Sequence, residues 1–209
     1  MLLESAQNPR VKNVVKLQQK PAERRRQARF CVETERMAHR ALRAGFRPLE
    51  VFAVEGRLPV DLARTLAPAR IYTIAEKLLP KIAYRQNASG WVAVFESKPA
   101  ASVEASLGAL RDDLVVVSSE VEKPGNLGAI LRSADGAGAG AVLVDRPHVD
   151  RFHPNCLRAS TGAVFSTPVI AGAPDTLLAG LRAAGFTLVA ATPEAARAYT
   201  EIDLTGRIA

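Results

Sequence analysis

A strand-like run from Leu114 to Ser118 gives way to Glu120-Val-Glu-Lys-Pro-Gly125-Asn126-Leu-Gly128-Ala-Ile-Leu-Arg132-Ser-Ala, the stretch whose residue types best suit chemistry. Gly125 and Gly128 allow tight turns that leave main-chain N–H groups free to meet a phosphate or carboxylate where a helix begins. Asn126 stands where it could cap that helix, and Arg132 follows six residues later on the helix itself. At 3.6 residues per turn the two do not share one stripe, so a joint site depends on how the loop is shaped. A plain strand-to-helix turn is the alternative reading of the same residues. In open parallel sheets ligands sit beyond the carboxyl ends of strands, which makes this loop the first place to look for one.

Charge supplies a second lead. The chain of 209 residues carries a formal net charge of +7. Arg10, Lys12, Lys16, Lys20, Arg24, Arg25, Arg26 and Arg29 face only Glu4 and Glu23 within residues 1–30, so most of the surplus lies there. Such a cluster, with Arg24, Arg25 and Arg26 in a row, attracts a polyanion by neutralising phosphates and releasing counterions, with steep salt dependence. A solvated helix face is the other reading. Metal chemistry has little support. Cys31 and Cys156 lack the spacing of a zinc or Cys-x-x-Cys site, and both are expected to be reduced and structural. His39, His148 and His153 are scattered, and the last two fit solvated loop positions better than a ligand pair.

Alternating strands and helices must position these groups. The first half reads as helix to Gln19, strand Arg29–Glu33, helix to Ala44 ended by Gly45, strand Leu49–Val54 and helix Asp61–Leu66. Strand Arg70–Thr73, helix Ala75–Ala83 and strand Trp91–Phe95 follow. The small, polar run between Glu96 and Leu107 reads as a linker, dividing the chain into residues 1–100 and 108–209. Beyond it the alternation restarts: strand Leu114–Ser118, helix Leu127–Ala137, strand Ala141–Val144, a turn or short helix at Pro154–Ala159, strand Thr167–Ala171, helix Asp175–Ala184 and strand Thr187–Ala191. Unalternating runs such as Leu-Val-Val-Val and Ala-Val-Leu-Val are covered on both faces, which predicts a parallel sheet with flanking helices and an α/β fold in two domains. No apolar stretch approaches the roughly 20 residues of a membrane helix, and the amino terminus lacks the pattern of a signal peptide. A cytoplasmic location without membrane contact is expected.

Pro-Gly-Asn-Leu-Gly-Ala-Ile-Leu-Arg-Ser-Ala at 124–134 resembles the first signature motif of the SpoU, or TrmH-type, RNA ribose methyltransferases, and Ala-Gly-Ala-Val-Leu-Val at 139–144 continues in its manner. Val149-Asp150-x-x-x-Pro154-x-x-x-Arg158-Ala-Ser160-Thr-Gly162-Ala, followed by Pro168, is similar to a second block of that family. Ser5-x-x-Asn8-Pro9-x-Val-Lys12 and Arg29-Phe-x-Val-Glu33 resemble the L30e-like substrate-binding domain that many members carry, with Thr34 where members usually place Gly. The resemblance implies a SPOUT-type α/β knot domain, often dimeric, that transfers a methyl group from S-adenosylmethionine to a ribose 2′-hydroxyl of ribosomal or transfer RNA. It assigns Arg132 the activating role, with Asn126 orienting it. Guanidinium stays protonated in proteins, so Arg132 is better read as an electrostatic stabiliser than as a literal base. Arg158 and Ser160 would bind a substrate phosphate, for which a guanidinium fork and a hydroxyl are suited; a helix-end Arg and a cap Ser are their structural alternative.

The family continues past the strand at Thr187–Ala191 through a cofactor loop, a Gly-x-Glu strand and a Ser-Leu-Asn motif. Here the sequence ends at Asp203-Leu-Thr-Gly206-Arg-Ile-Ala209, where the Gly-x-Glu strand should begin. On this reading Thr192 is the one cofactor-loop position present, the main cofactor loops are missing, and the chain as given is expected to be inactive and of doubtful dimerisation. A non-catalytic RNA-binding module is the alternative. A dinucleotide-binding enzyme is a third reading, with Gly125-x-x-Gly128 and Asp145 in suggestive places, but Lys123 replaces the first glycine of that pattern.

Overall fold

The computed structural model describes residues 2–99, 101–110, 113–145 and 149–209, so His148 and the expectation attached to it lie outside the described residues. β1 (Leu2–Leu3) precedes α1 (Pro9–Gln19). Asn8 caps α1 by accepting from Arg10 N at 2.9 Å, with Pro9 at the first helical position where its missing N–H costs nothing. Pro21 restarts the chain as α2 (Pro21–Gln27), which Ala28 closes in the left-handed region at φ 49°. There follow β2 (Arg29–Val32), α3 (Glu35–Arg43), β3 (Pro48–Val54), α4 (Val60–Thr65), β4 (Arg70–Ile74), α5 (Leu79–Ile82) and β5 (Trp91–Glu96). Thr34, in the place of the family's usual Gly, caps α3 by accepting from Met37 N. The five strands form one mixed sheet in the order β1-β4-β3-β5-β2, with β5 antiparallel to both neighbours.

The second half contains α6 (Val103–Gly108), β6 (Val115–Ser118), α7 (Pro124–Gly136), β7 (Ala141–Val144), α8 (Pro154–Ala159), β8 (Val169–Ala171) and α9 (Pro174–Ala183). Strands β6, β7 and β8 make the expected parallel sheet. Two expectations need correction. The linker holds a helix, α6, started by Ser102 accepting from Ala105 N at 3.1 Å. Thr187–Ala191 does not form a continuous strand, because its partner is the short segment at Arg207–Ala209. Thr187 N donates to Arg207 O at 2.8 Å and Val189 N to Ala209 O at 2.8 Å, while Ile208 bridges Leu114 beside β6.

The halves share a core. One face of the mixed sheet buries Val11, Val14 and Leu17 of α1 with Leu78 and Ile82. The other face joins Phe30, Phe46 and Phe95 to Leu127 and Leu131 of α7, Leu157 of α8, and Phe152 and Phe165. The Phe30 and Phe152 rings stack at 4.4 Å and 5°, with Phe165 5.6 Å from Phe30. Burying several aromatic rings between the halves fixes their mutual arrangement through nonpolar area. A third cluster, with Leu107, Leu177 and Leu181, lies under α6 and α9. No helix among the described residues is long and apolar enough to cross a membrane.

Candidate functional site

Lys123 is the N-cap of α7 and Pro124 its first residue, so Asn126 is the third helical residue and not the cap. The fixed φ of proline starts the helix earlier than the glycines alone suggest. Gly128 has a different task from the one its sequence context predicts. A Cβ there would stand 2.6 Å from Cys156 O, 2.8 Å from Ala159 Cβ and 3.0 Å from Ser160 N, so only glycine lets α7 approach α8 this closely. A Cβ at Gly125 would meet no atom within 4 Å outside its own helix turn among the described residues. Asn126 and Arg132 are both exposed on α7. Helix geometry sets them about 9 Å apart along the axis and roughly 120° apart around it, so they do not share a stripe. Arg132 has no ion-pair partner among the described residues.

α8 carries the second predicted pair, and its members part company. Arg158 is exposed and joins Tyr84, Arg85, Leu157 and the buried Glu33 around a small cavity of about 20 Å³. Ser160 is fully buried: its hydroxyl donates to Leu157 O at 3.1 Å and accepts from Gly162 N at 3.3 Å. A hydroxyl committed to closing α8 cannot also meet a phosphate, so Ser160 is structural here. His153, expected as a solvated loop residue, is partly buried; it caps α8 through Nδ1, which accepts from Asn155 N at 3.1 Å. Burial, then the nearby Arg24 charge, lowers its pKa and keeps that nitrogen an acceptor.

The arginine run divides likewise. Arg24, with its side chain 2% exposed, donates from Nε to Asp150 at 2.6 Å and from Nη1 to Leu17 O and Gln18 O. It is an internal strut between the halves, and the phosphate contact predicted for it does not fit this burial. Arg25 and Arg26 are exposed, Arg26 paired with Glu23 at 2.7 Å. Arg25 borders a cleft of about 1020 Å³ between the halves, shared with Lys98, Leu127, Arg151 and Phe152. Lys12, Lys16 and Lys20 are exposed beside it in sequence.

Asp145 accepts from Ser119 Oγ at 2.5 Å and Glu120 N at 2.9 Å, so it ties down the loop after β6 and leaves the dinucleotide reading without its ribose ligand. Cys31 and Cys156 are buried and free, and burial pushes the Cys156 thiol up to about 12. Thr192 lies in the exposed stretch 190–201, where its hydroxyl bonds to Glu194 and its carbonyl accepts from Ala195 N at 3.2 Å.

Sequence reasoning missed two groups. Arg85 is brought beside Arg158 by Glu33, which accepts from Tyr84 N at 2.6 Å and Arg85 N at 3.2 Å across the fold; no local signal announces it. Arg36, Arg40 and Arg43 lie on α3, and their helical spacing was legible in the sequence.

With exposed cations on its first half and an Asn–Arg helix following a parallel strand in its second, the chain falls among α/β proteins that hold a nucleic acid. Comparison with known proteins narrows the class. Residues 113–209 match the SpoU rRNA Methylase family and residues 8–93 the MRM3-like substrate binding domain. A solved RNA 2′-O ribose methyltransferase is 34% identical, with TM-score 0.82, over 100% of this chain and 80% of that one. An AdoMet-bound rRNA methyltransferase from Sinorhizobium meliloti is 25% identical at TM-score 0.85, over 100% of this chain and 78% of its own. The 23S rRNA (guanosine(2553)-2′-O)-methyltransferase RlmP of Bacillus subtilis is 28% identical over 96% of this chain and 77% of its own length. The chain belongs to the SpoU rRNA methylase family.

Proposed function

We propose that this protein transfers a methyl group from S-adenosylmethionine to a ribose 2′-hydroxyl of ribosomal RNA. The observation that carries this reading is Arg132, exposed on α7 and without an ion-pair partner among the described residues, with Asn126 a turn and a half before it, in the family's own spacing. A ribose hydroxyl is too weak an acid to ionise at neutral pH, so a site must hold its oxygen in line and stabilise the charge that develops. In this reading Arg132 places its guanidinium beside that oxygen, Asn126 orients Arg132, and Arg25, Arg26 and Arg158 hold flanking phosphates. The proton leaves to solvent or an RNA phosphate, since Arg132 cannot accept it. Two domains divide the work: residues 1–100 hold RNA, and residues 108–209 carry the reaction.

The cofactor, when bound, supplies the electrophilic methyl group. Thr192 would line its site. Thr192 sits beyond the parallel segment at Thr187–Val189, where ligands of such sheets gather, within a stretch, residues 190–201, that is exposed throughout. That exposure favours a second reading, an RNA-binding module without turnover. Ribosomal RNA is proposed over transfer RNA, with a cytoplasmic setting beside ribosomes and the homodimer usual in the family.

The test is incubation with methyl-labelled S-adenosylmethionine and ribosomal RNA, then digestion to nucleosides. Label in a 2′-O-methylated nucleoside is expected; label on a base overturns the proposal. RNA binding without cofactor binding by calorimetry selects the second reading.

A further inference from the structure

α3 presents Arg36, His39, Arg40 and Arg43 at i, i+3, i+4 and i+7, which is one stripe of a helix. These four side chains alone line an open groove of about 450 Å³. Arg40 is fixed in the middle. Its Nη2 donates to Asp135 at 2.7 Å and its Nη1 to Thr161 O at 3.4 Å. Gly162, at φ 92°, makes room for it: a Cβ there would meet Arg40 Cδ at 2.9 Å. Arg40 thus pins the stripe to the seam between both signature blocks, one helical turn from Arg132. Arg36 and Arg43 are exposed and have no ion-pair partner among the described residues, while His39 leans on Glu35 at 3.5 Å.

We infer that the α3 stripe is an RNA-backbone contact, with Arg36 and Arg43 each meeting one phosphate of the strand whose ribose reaches Arg132. This deepens the methyltransferase reading and rests on it. Two exposed guanidinium groups flanking the pinned Arg40 on one helix suit phosphates of one strand better than an apolar partner, because the side chains that line the groove are three arginines and a histidine. The position is set by an ion pair and a glycine, so the contact is preorganised and not dependent on folding a loop.

The test uses the whole chain and ribosomal RNA, with affinity measured from about 50 to 200 mM salt. Each phosphate contact contributes a salt slope of roughly 0.7 to 0.9, so two contacts steepen the fall over that range by about tenfold. The variant Arg36→Ala/Arg43→Ala should lose that tenfold steepening, and Arg36→Lys/Arg43→Lys should keep it. Melting temperature should be unchanged, because neither side chain is buried. An unchanged slope in the alanine variant overturns the inference while leaving the methyltransferase reading standing. Absence of any RNA binding by the unaltered protein would instead remove the reading beneath it.

Discussion

Asp150→Ala should be among the most damaging single changes outside the aromatic core. The Arg24 side chain is 2% exposed and Asp150 11%, so removing the carboxylate strands a guanidinium in a nearly dry interior. Breaking a buried pair from one side costs about 3–5 kcal/mol. The bonds from Arg24 to Leu17 O and Gln18 O survive and pull the figure toward about 3 kcal/mol. For a protein of this size that corresponds to a melting temperature roughly 10 °C lower. Urea unfolding followed by circular dichroism would read the loss as a shift of midpoint at constant slope. Arg24→Met/Asp150→Ala should recover much of it, since no charge is left unpaired, giving a coupling energy above about 1 kcal/mol. Arg24→Met should also leave the salt slope of RNA binding untouched. A loss under about 0.5 kcal/mol for Asp150→Ala, or a shallower RNA slope for Arg24→Met, would refute the assignment of Arg24 as a strut.

Three further outcomes are expected. Gly128→Ala would gain helix propensity, yet its methyl would meet Cys156 O at 2.6 Å, so a net loss of about 2 kcal/mol is expected in urea unfolding. Ser160→Ala should lower stability by about 1 kcal/mol without altering the salt slope of RNA binding, since its hydroxyl bonds only to backbone. The Asp135 carboxyl is held below its usual 3.8, first by the Arg40 hydrogen bond, so its contribution to stability is fully present above that value and is lost as pH falls through the lower folded value. Urea midpoints of the unaltered protein and Asp135→Asn should therefore differ at neutral pH and converge in acid; parallel curves down to pH of about 2 would contradict this.

Local signals made much of the architecture legible. Asn8-Pro9 marks a capped helix start, Gly45 sits in the left-handed region at φ 72° after α3, and Ala141–Val144 is a buried strand within its predicted bounds. Local reading failed where a partner distant in sequence decides the outcome. Gly128 looked like a turn residue because the backbone of α8 that it must admit lies about 30 positions on. Arg24 could not be told from Arg25 and Arg26 until Asp150 was brought beside it, 126 residues away. Ser160 reads as a ligand or a cap equally well, and only burial separates the two. The helix that carries Asn126 and Arg132 was legible, with its start misplaced by three residues because Pro124 begins it.

The most direct measurement is the single-turnover rate of methyl transfer to ribosomal RNA by the Arg132→Ala variant, with RNA affinity measured alongside. The rate is expected to fall about 10²- to 10³-fold, the usual effect of removing one group that stabilises developing charge, while the dissociation constant stays within about threefold. An unaltered rate, or a fall accounted for wholly by weaker RNA binding, would contradict the placement of Arg132 at the reacting ribose.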